Sequence, residues 1–132
     1  MITISTDKSK LQIEVVHQFL TNSYWAKGRT LAQVQTTIDN CLCFGVYKDS
    51  DQIGFGRVAT DYAVFAYLMD IFILPEYQGE GYSKQLMDAI VHSKELQDCR
   101  TWMLKTSDAH GLYKQFGFSE LKDSDIVMEL IR

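Results

Sequence analysis

The feature that most constrains the fold is a long apolar run at residues 63–74, AVFAYLMDIFIL, which a single charged residue, Asp70, interrupts. A run without regular alternation of apolar and polar residues is typical of a strand that is covered on both faces of its sheet. A membrane-spanning helix needs about 20 apolar residues, so this run is too short to cross a bilayer. We therefore predict a central strand here, with other elements packed on both of its faces.

Periodicity predicts the elements on either side of this strand. Before it, we expect a short strand at 2–5, helices from about Leu11 and from Thr30, and a hairpin of strands at 42–48 and 52–60. After it, we expect a helix at 82–94, a strand at 101–105, a short helix at 108–116 and a terminal hairpin of strands at 118–121 and 126–131. The order β-α-α-β-β-β-α-β-α-β-β predicts one α+β domain over residues 1–132, with a mixed central sheet flanked by about four helices.

Composition excludes some classes of function. Of the 132 residues, 46% are hydrophobic and 23% are charged, which is typical of a globular domain. The net charge is −4, and no segment carries a basic stripe. A protein that binds duplex nucleic acid by neutralising phosphates is therefore not expected.

The cysteines and the N-terminus predict a cytoplasmic protein. Cys41, Cys43 and Cys99 are an odd number, and no neighbouring His or Cys completes a zinc site. We interpret them as small hydrophobic residues in a reduced compartment and expect no bound metal. The first ten residues, MITISTDKSK, lack the basic and then apolar segments of a secretory signal, and we expect no membrane partner.

The turn after the central strand, QGEGYSK at residues 78–84, has the composition of an anion-binding site. A helix N-terminus leaves about four backbone N–H groups unpaired and carries a partial positive charge. Glycines let a ligand approach the backbone closely, so such a turn suits a phosphate or a pyrophosphate. Neither a P-loop nor a dinucleotide-binding fingerprint matches here. Taken alone, such a turn is more often purely structural than ligand-binding.

Two motifs in this region resemble those of one family. Gln78-x-x-Gly81-x-Ser83 resembles the Q/R-x-x-G-x-G/A motif of the GNAT superfamily of N-acetyltransferases, whose loop binds the pyrophosphate of acetyl-CoA. Residues 70–77, DIFILPEY, are similar to the strand that leads to that loop, and residues 109–118, AHGLYKQFGF, resemble the family's A-x-x-L-Y-x-x-x-G-F helix. The order of elements also matches, so the resemblance implies a GNAT-like fold with acetyl-CoA as co-substrate.

Three positions depart from the family pattern. Ser83 stands where Gly or Ala is usual, and its hydroxyl can itself donate to a phosphate. Glu80 brings a carboxylate into an anion-binding loop, so we expect its side chain to point outward. Thr106 stands where many members carry an Asn that contacts the cofactor.

The resemblance also implies a set of cofactor-binding residues. Pantetheine would lie against the central strand, on backbone groups of Ile71, Phe72 and Ile73, where that strand diverges from its neighbour. A backbone N–H there would stabilise the developing oxyanion. The remaining expected contacts are Gln78, Gly79, Glu80, Gly81, Tyr82, Ser83, Lys84 and Thr106.

Tyr113 and Asp70 are the candidate catalytic residues. The resemblance makes Tyr113 the general acid, because a phenol of pKa about 10 stays protonated at neutral pH and can protonate the departing thiolate. The alternative is that Tyr113 only packs in a short amphipathic helix. A lone carboxylate in an apolar strand is costly to bury, so Asp70 is either a base or substrate-binding group at a cleft, or a structural residue paired with a cation. Proton removal through water, without a single base, is a further possibility.

The segment at residues 22–30, NSYWAKGRT, is the candidate acceptor site. It carries two aromatic residues and two cations between the first two helices, and a loop on a rigid scaffold often determines specificity. We expect Tyr24, Trp25 and Arg29 to bind substrate, although an aromatic plug over the helix pair is an alternative. The acceptor would be a primary amine of a small molecule or peptide. Strand edges at the C-terminus could pair, so a monomer and a homodimer are both compatible with the sequence.

The sequence therefore predicts an acetyl-CoA-dependent N-acetyltransferase in which the amine attacks the thioester directly. The departures at Glu80, Ser83 and Thr106 keep a second hypothesis open, that of a non-catalytic acyl-CoA-binding or interaction module with the same fold. A third hypothesis is an unrelated α+β enzyme whose glycine turn is structural.

Overall fold

The protein, described here over residues 1–132 by a computed structural model, is built on one five-stranded sheet. The strands are β1 (Ile2–Ser5), β2 (Leu42–Lys48), β3 (Asp51–Thr60), β4 (Phe65–Ile73) and β5 (Thr101–Met103), and they lie in chain order across the sheet. The pairs from β1 to β4 are antiparallel, whereas β4 and β5 are parallel. The mixed sheet expected from the sequence is thus confirmed.

Four α-helices connect and cover the strands. They are α1 (Ile13–Thr21), α2 (Leu31–Asn40), α3 (Tyr82–Val91) and α4 (His110–Lys114). The predicted capping box of α2 is present, because Thr30 Oγ1 accepts from Gln33 N at 3.1 Å and Gln33 Oε1 accepts from Thr30 N at 2.8 Å. The longest helices have ten residues, and none has the length and hydropathy needed to span a membrane.

Each face of the sheet carries its own buried cluster, as the nearly continuous apolar character of β4 predicted. On one face, α1 and α2 bury Val16, Leu20, Val34 and Ile38 against Phe55 and Phe72. On the other face, α3 buries Leu86, Met87 and Ile90 against side chains of β2, β3 and β4. The two clusters hold β3 and β4 between them, which fixes the position of the segment that follows β4.

A β-bulge in β4 changes which residues point to each face. Phe55 pairs with Phe72 and Arg57 pairs with Met69, so Asp70 and Ile71 together oppose Gly56 alone. Asp70 takes the left-handed conformation, with φ of 57°, which Asp tolerates better than most residues. Before the bulge, Leu68 faces the α3 side, and after it Phe72 faces the side of α1 and α2. The extra residue therefore reverses the alternation of side chains along the strand.

The predicted terminal hairpin is wrong. Residues 118–132 form no strand, and the only regular structure among them is a single 3-10 turn at Ser124–Ile126. The element order is therefore β-α-α-β-β-β-α-β-α. The apolar alternation at 126–131 predicted a strand, but a strand needs a partner for its backbone groups. The side chains of Ile126, Met128, Leu130 and Ile131 are instead between 74% and 95% exposed.

Candidate functional site

The loop between β4 and α3 presents a row of backbone donors. The N–H groups of all six residues from Gly79 to Lys84 donate no hydrogen bond, whereas Gln78 N donates to Pro75 O and Gln85 N donates to Gly81 O. Gly79 and Gly81 have φ of 86° and 83°, a region that favours glycine. A Cβ added at either glycine would meet no atom within 4 Å. The glycines are therefore required by backbone conformation, and the space in front of them is open.

The side chains of this loop leave that space accessible. Gln78 is fixed away from it, because its Nε2 donates to Ile73 O at 2.9 Å and holds the loop on the end of β4. Glu80 and Lys84 are exposed and form no ion pair, and Tyr82 and Ser83 are half-buried. The Ser83 hydroxyl makes no hydrogen bond, so it is free to add a donor to the row of N–H groups.

Beside this loop, β4 has a free backbone edge. β5 pairs only with residues Phe65 to Tyr67 of β4, and the rest of β4 has no neighbour on that side. Leu74 N donates to Ile53 O at 2.8 Å, and backbone groups of an antiparallel strand alternate between its two sides. The backbone groups of Ile71 and Ile73 therefore lie on the free edge, whereas the backbone of Phe72 faces β3. The ring of Phe72 stacks on Phe19, with 4.0 Å between ring centroids.

Asp70, at the bulge, is the centre of a buried polar cluster. Its Oδ2 accepts from Arg29 Nη1 at 2.7 Å and from Arg57 Nε at 2.9 Å, and its Oδ1 accepts from Trp25 Nε1 at 3.0 Å. The Asp70 side chain is 1% exposed, and that of Arg57 is 7% exposed. A buried carboxylate is costly unless it is paired and hydrogen-bonded, and here both of its oxygens are engaged. Of the two sequence interpretations, the structure favours a carboxylate paired with cations.

Arg57 belongs to this cluster, although the sequence analysis missed it. Burial lowers the pKa of Arg57, but its hydrogen bond to Cys41 and the charge of Asp70 more than offset this, so its pKa is raised. Its Nη1 lies 3.4 Å from Cys41 Sγ. A useful signal was present, since Arg57 is a lone cation in an otherwise apolar strand pattern. Pairing the lone cation with the lone carboxylate of the neighbouring strand would have identified it.

Beyond Tyr67, β4 and β5 are no longer paired, which leaves an opening between the two strands. Tyr113 lies on α4, the helix that follows β5. Burial raises its pKa to about 12, with Asp108 and Tyr24 adding to the shift. Its ring packs edge-to-face on Phe118, with 6.1 Å between centroids. The Tyr113 hydroxyl makes no hydrogen bond within the protein, and the residue lines a cavity of about 300 Å³. It is thus protonated at neutral pH with a free O–H donor.

Thr106 and the loop between α1 and α2 are the remaining parts of the candidate site. Thr106 Oγ1 accepts from Ala109 N at 3.0 Å, which fixes the loop just before α4. Tyr24 Oη lies 2.7 Å from Ser107 Oγ, which joins the α1–α2 loop to the loop after β5. Tyr24 and Trp25 are 67% and 41% exposed, so they are not a fully packed plug.

The structure thus brings the predicted residues together in two groups. Trp25, Arg29 and Asp70 meet directly, and the glycine loop follows the same strand by a few residues. Tyr113 and Thr106 lie across the opening between β4 and β5, connected to the first group through Tyr24.

Comparison with known proteins reveals similarity along the whole chain. A crystal structure of a Xanthomonas campestris protein belonging to the GNAT family is 47% identical, with a TM-score of 0.97 over 100% of this chain and 94% of that one. A Gibberella zeae protein named as a candidate acetyltransferase is 25% identical, over 92% of this chain and 81% of its own length. A Clostridium acetobutylicum protein solved with acetyl-CoA is 16% identical, with a TM-score of 0.67 over 99% of this chain and 96% of that one, and it shares the fold.

The family itself is identified by a sequence model. Residues 39–120, from the end of α2 to just beyond α4, match the acetyltransferase (GNAT) domain. That range contains the bulge, the glycine loop and Tyr113. The chain therefore belongs to the GNAT acetyltransferase family.

Proposed function

We propose that this protein transfers the acetyl group of acetyl-CoA to a primary amine of a small molecule or peptide. The observation that carries the proposal is the row of six unpaired N–H groups at Gly79–Lys84, next to the free edge of β4. Such a row at the N-terminus of a ten-residue helix suits a pyrophosphate, because several donors and the helix dipole act on the same anion. Membership of the GNAT family supports acetyl-CoA as the source of that pyrophosphate.

The rest of the co-substrate would extend along β4. The backbone groups of Ile71 and the N–H of Ile73 can pair with the amide groups of pantetheine, as an added strand would, whereas Ile73 O already accepts from Gln78 Nε2. The Ser83 hydroxyl and the Lys84 ammonium would assist the pyrophosphate contacts, and the Thr106 loop would border the other side. Phe72 contributes by packing, since its backbone already faces β3.

In the reaction, the amine nitrogen attacks the thioester carbonyl carbon, a C–N bond forms and the C–S bond breaks. A free N–H on the edge of β4 would stabilise the negative charge that develops on the carbonyl oxygen, an effect of about 3 kcal/mol in comparable sites. Tyr113 would donate its proton to the departing thiolate. Its raised pKa keeps that proton available across the neutral range.

We assign Asp70 a positioning role in this reaction. Its side chain is 1% exposed and its charge is paired with Arg29 and Arg57, so protonation of Asp70 by the amine would be unfavourable. The proton of the attacking amine would leave through water instead. Asp70 would then position Trp25 and Arg29, two of the predicted acceptor-binding residues, next to the bulge.

The proposed location is the cytoplasm, as predicted from the sequence. The three cysteines are buried and free, which fits a reduced, cytoplasmic protein. A small-molecule or peptide amine is the expected partner, and the protein would act as a monomer or a homodimer.

The first test is calorimetric titration of the purified protein with acetyl-CoA and, separately, with ADP. We expect acetyl-CoA to bind more tightly by at least about tenfold, which corresponds to about 1.4 kcal/mol, because only acetyl-CoA engages both the loop and the edge of β4. Absence of heat and of thermal stabilisation at millimolar acetyl-CoA would contradict the proposal. Binding without turnover over a broad panel of amines would instead favour the non-catalytic acyl-CoA-binding module.

A further inference from the structure

A groove next to the Asp70 cluster is lined by none of the residues proposed to bind the co-substrate. It lies on the face of the sheet that α1 and α2 cover, has a volume of about 810 Å³, and opens widely to solvent. Its lining includes Tyr24, Trp25, Lys27, Arg29 and Arg57. Arg29 and Arg57 line the groove and also bind Asp70, so the cluster connects the groove to the bulge of β4.

The groove is electropositive, although the chain as a whole is acidic. Three cationic side chains line it, from Lys27, Arg29 and Arg57, and no Asp or Glu does. Asp70 lies behind two of these cations, with its side chain 1% exposed, so it offsets one of the three charges. The excess positive charge therefore faces the groove of a protein whose net charge is −4.

The two arginines also have unused donors. Arg29 donates only from Nη1, and Arg57 donates only from Nε and Nη1, so Nε and Nη2 of Arg29 and Nη2 of Arg57 make no hydrogen bond within the protein. Arg57 is held rigidly, with its side chain 7% exposed, yet it still lines the groove. Guanidinium groups fixed in this way match the geometry of a carboxylate or a phosphate.

We propose that the acceptor is an amine that also carries an anionic group, a carboxylate or a phosphate, which binds in this groove. This inference rests on the proposed function. Arg29 and Arg57 would bind the anion through their unused donors, Lys27 would add charge at the rim, and the amine would reach the opening beside β4. Polycationic amines are disfavoured, because they would bring like charge to an electropositive surface.

The test compares pairs of amines that differ in the anion. Phosphoethanolamine is compared with ethanolamine, alanine with alaninamide, and putrescine serves as a cationic probe. Each is titrated calorimetrically into the protein alone and into protein with CoA present. We expect the anionic member of at least one pair to bind more tightly by at least about tenfold, as charge-assisted bonds to two arginines require. The pair with the larger ratio identifies the anion as carboxylate or phosphate.

Variants locate the effect in the groove. Arg29→Lys keeps the charge but loses the planar fork, and it should weaken binding of the anionic amine by at least about tenfold without changing that of acetyl-CoA. Lys27→Gln removes an exposed charge and should weaken the same binding by about threefold. Lys94→Gln, an exposed substitution outside the groove, should change neither.

The outcomes separate this inference from the proposed function. Equal binding within both pairs, tighter binding of putrescine, or no binding of any anionic member would show that the groove does not select an anion. None of these results depends on acetyl-CoA binding, which is measured on the same protein without acceptor. Failure of acetyl-CoA to bind would overturn the proposed function, whereas its retention with equal binding of the paired amines would overturn this inference alone.

Discussion

The two sides of the opening between β4 and β5 are built very differently. On the β4 side, a carboxylate, two guanidinium groups and an indole N–H satisfy one another at 2.7–3.0 Å, under two helices. On the β5 side, a three-residue strand and a five-residue helix lead into a tail whose apolar side chains face solvent. The first side is fixed by ion pairs and hydrogen bonds of a fully buried carboxylate, whereas the second packs only partly buried side chains, such as Leu112 and Phe116, against the α3 face of the sheet.

This difference indicates how the work of the site is divided. In the proposed reaction, the backbone N–H donors and the acceptor-binding side chains must be held precisely. On the β4 side, the hydrogen-bonded Asp70 cluster holds them. In the same proposed reaction, Tyr113 would only have to present a protonated hydroxyl, and burial keeps it protonated by raising its pKa. Substitutions on each side of the opening, and removal of the tail, test this division.

Asp70→Asn should be the most damaging single change. It keeps the shape of the side chain and its tolerance of positive φ, but it removes the charge that pairs with the buried Arg57 and the partly buried Arg29. We expect a loss of about 3 kcal/mol in the free energy of unfolding, measured by chemical denaturation. Asp88→Asn, in an exposed pair with His92, is the control, and similar losses for both variants would contradict the importance of the cluster.

Tyr113→Phe should reduce turnover without loss of co-substrate affinity. General-acid catalysis is worth about 100-fold or more, so kcat should fall by about that factor while the Kd for acetyl-CoA stays unchanged. Tyr62→Phe, at an exposed turn, is the matched control. Unchanged kcat in the Tyr113 variant would exclude it as the acid.

The pH dependence of the wild-type protein tests the same residue. Because burial raises the pKa of Tyr113 to about 12, its protonated form is present at neutral pH and is lost only as the pH rises toward that value. We therefore expect no fall in kcat between about pH 8 and pH 10 that depends on Tyr113. A fall in this range that is absent from the residual activity of Tyr113→Phe would show that the hydroxyl titrates lower.

Gly81→Leu should weaken acetyl-CoA binding by at least about tenfold, because a side chain would cover the row of N–H groups. Calorimetric titration measures the effect. The control is Gly28→Leu, since Gly28 has nearly the same φ, 82°, and equal open space around its Cα, but lies in the α1–α2 loop. Equal affinities for the two variants would mean that the loop does not bind the pyrophosphate.

Deletion of residues 126–132 should have the smallest effect on the stability of the chain. The apolar side chains of this segment are mostly exposed, and its ion pair between Glu129 and Lys105 lies at the surface. Such pairs contribute about 0–1 kcal/mol, so the free energy of unfolding should change by no more than that. A loss of several kcal/mol would show that the segment packs against another surface, such as that of a second copy.

Local sequence determined those features whose interactions span only a few residues. The capping box of α2 joins residues three apart, and the glycine conformations at 79 and 81 follow from backbone sterics alone. The long apolar run predicted β4, and the spacing of the glycine loop and of the helix around Tyr113 identified the family. The interactions that produce the capping box and the glycine conformations lie within a few residues of one another, so they can be predicted from the local sequence.

The ion pairs and the strand pairing join residues far apart in the sequence, so they were determined by the tertiary structure. Arg57 and Arg29 are 13 and 41 residues from Asp70, and the bulge that turns Asp70 toward them becomes apparent only when β3 and β4 are paired. The terminal segment shows the converse, because its alternation predicted a strand for which the fold provides no partner. Periodicity indicates which side chains prefer burial. Which strands pair through their backbone groups, and which charged side chains form ion pairs, is determined only in the assembled sheet.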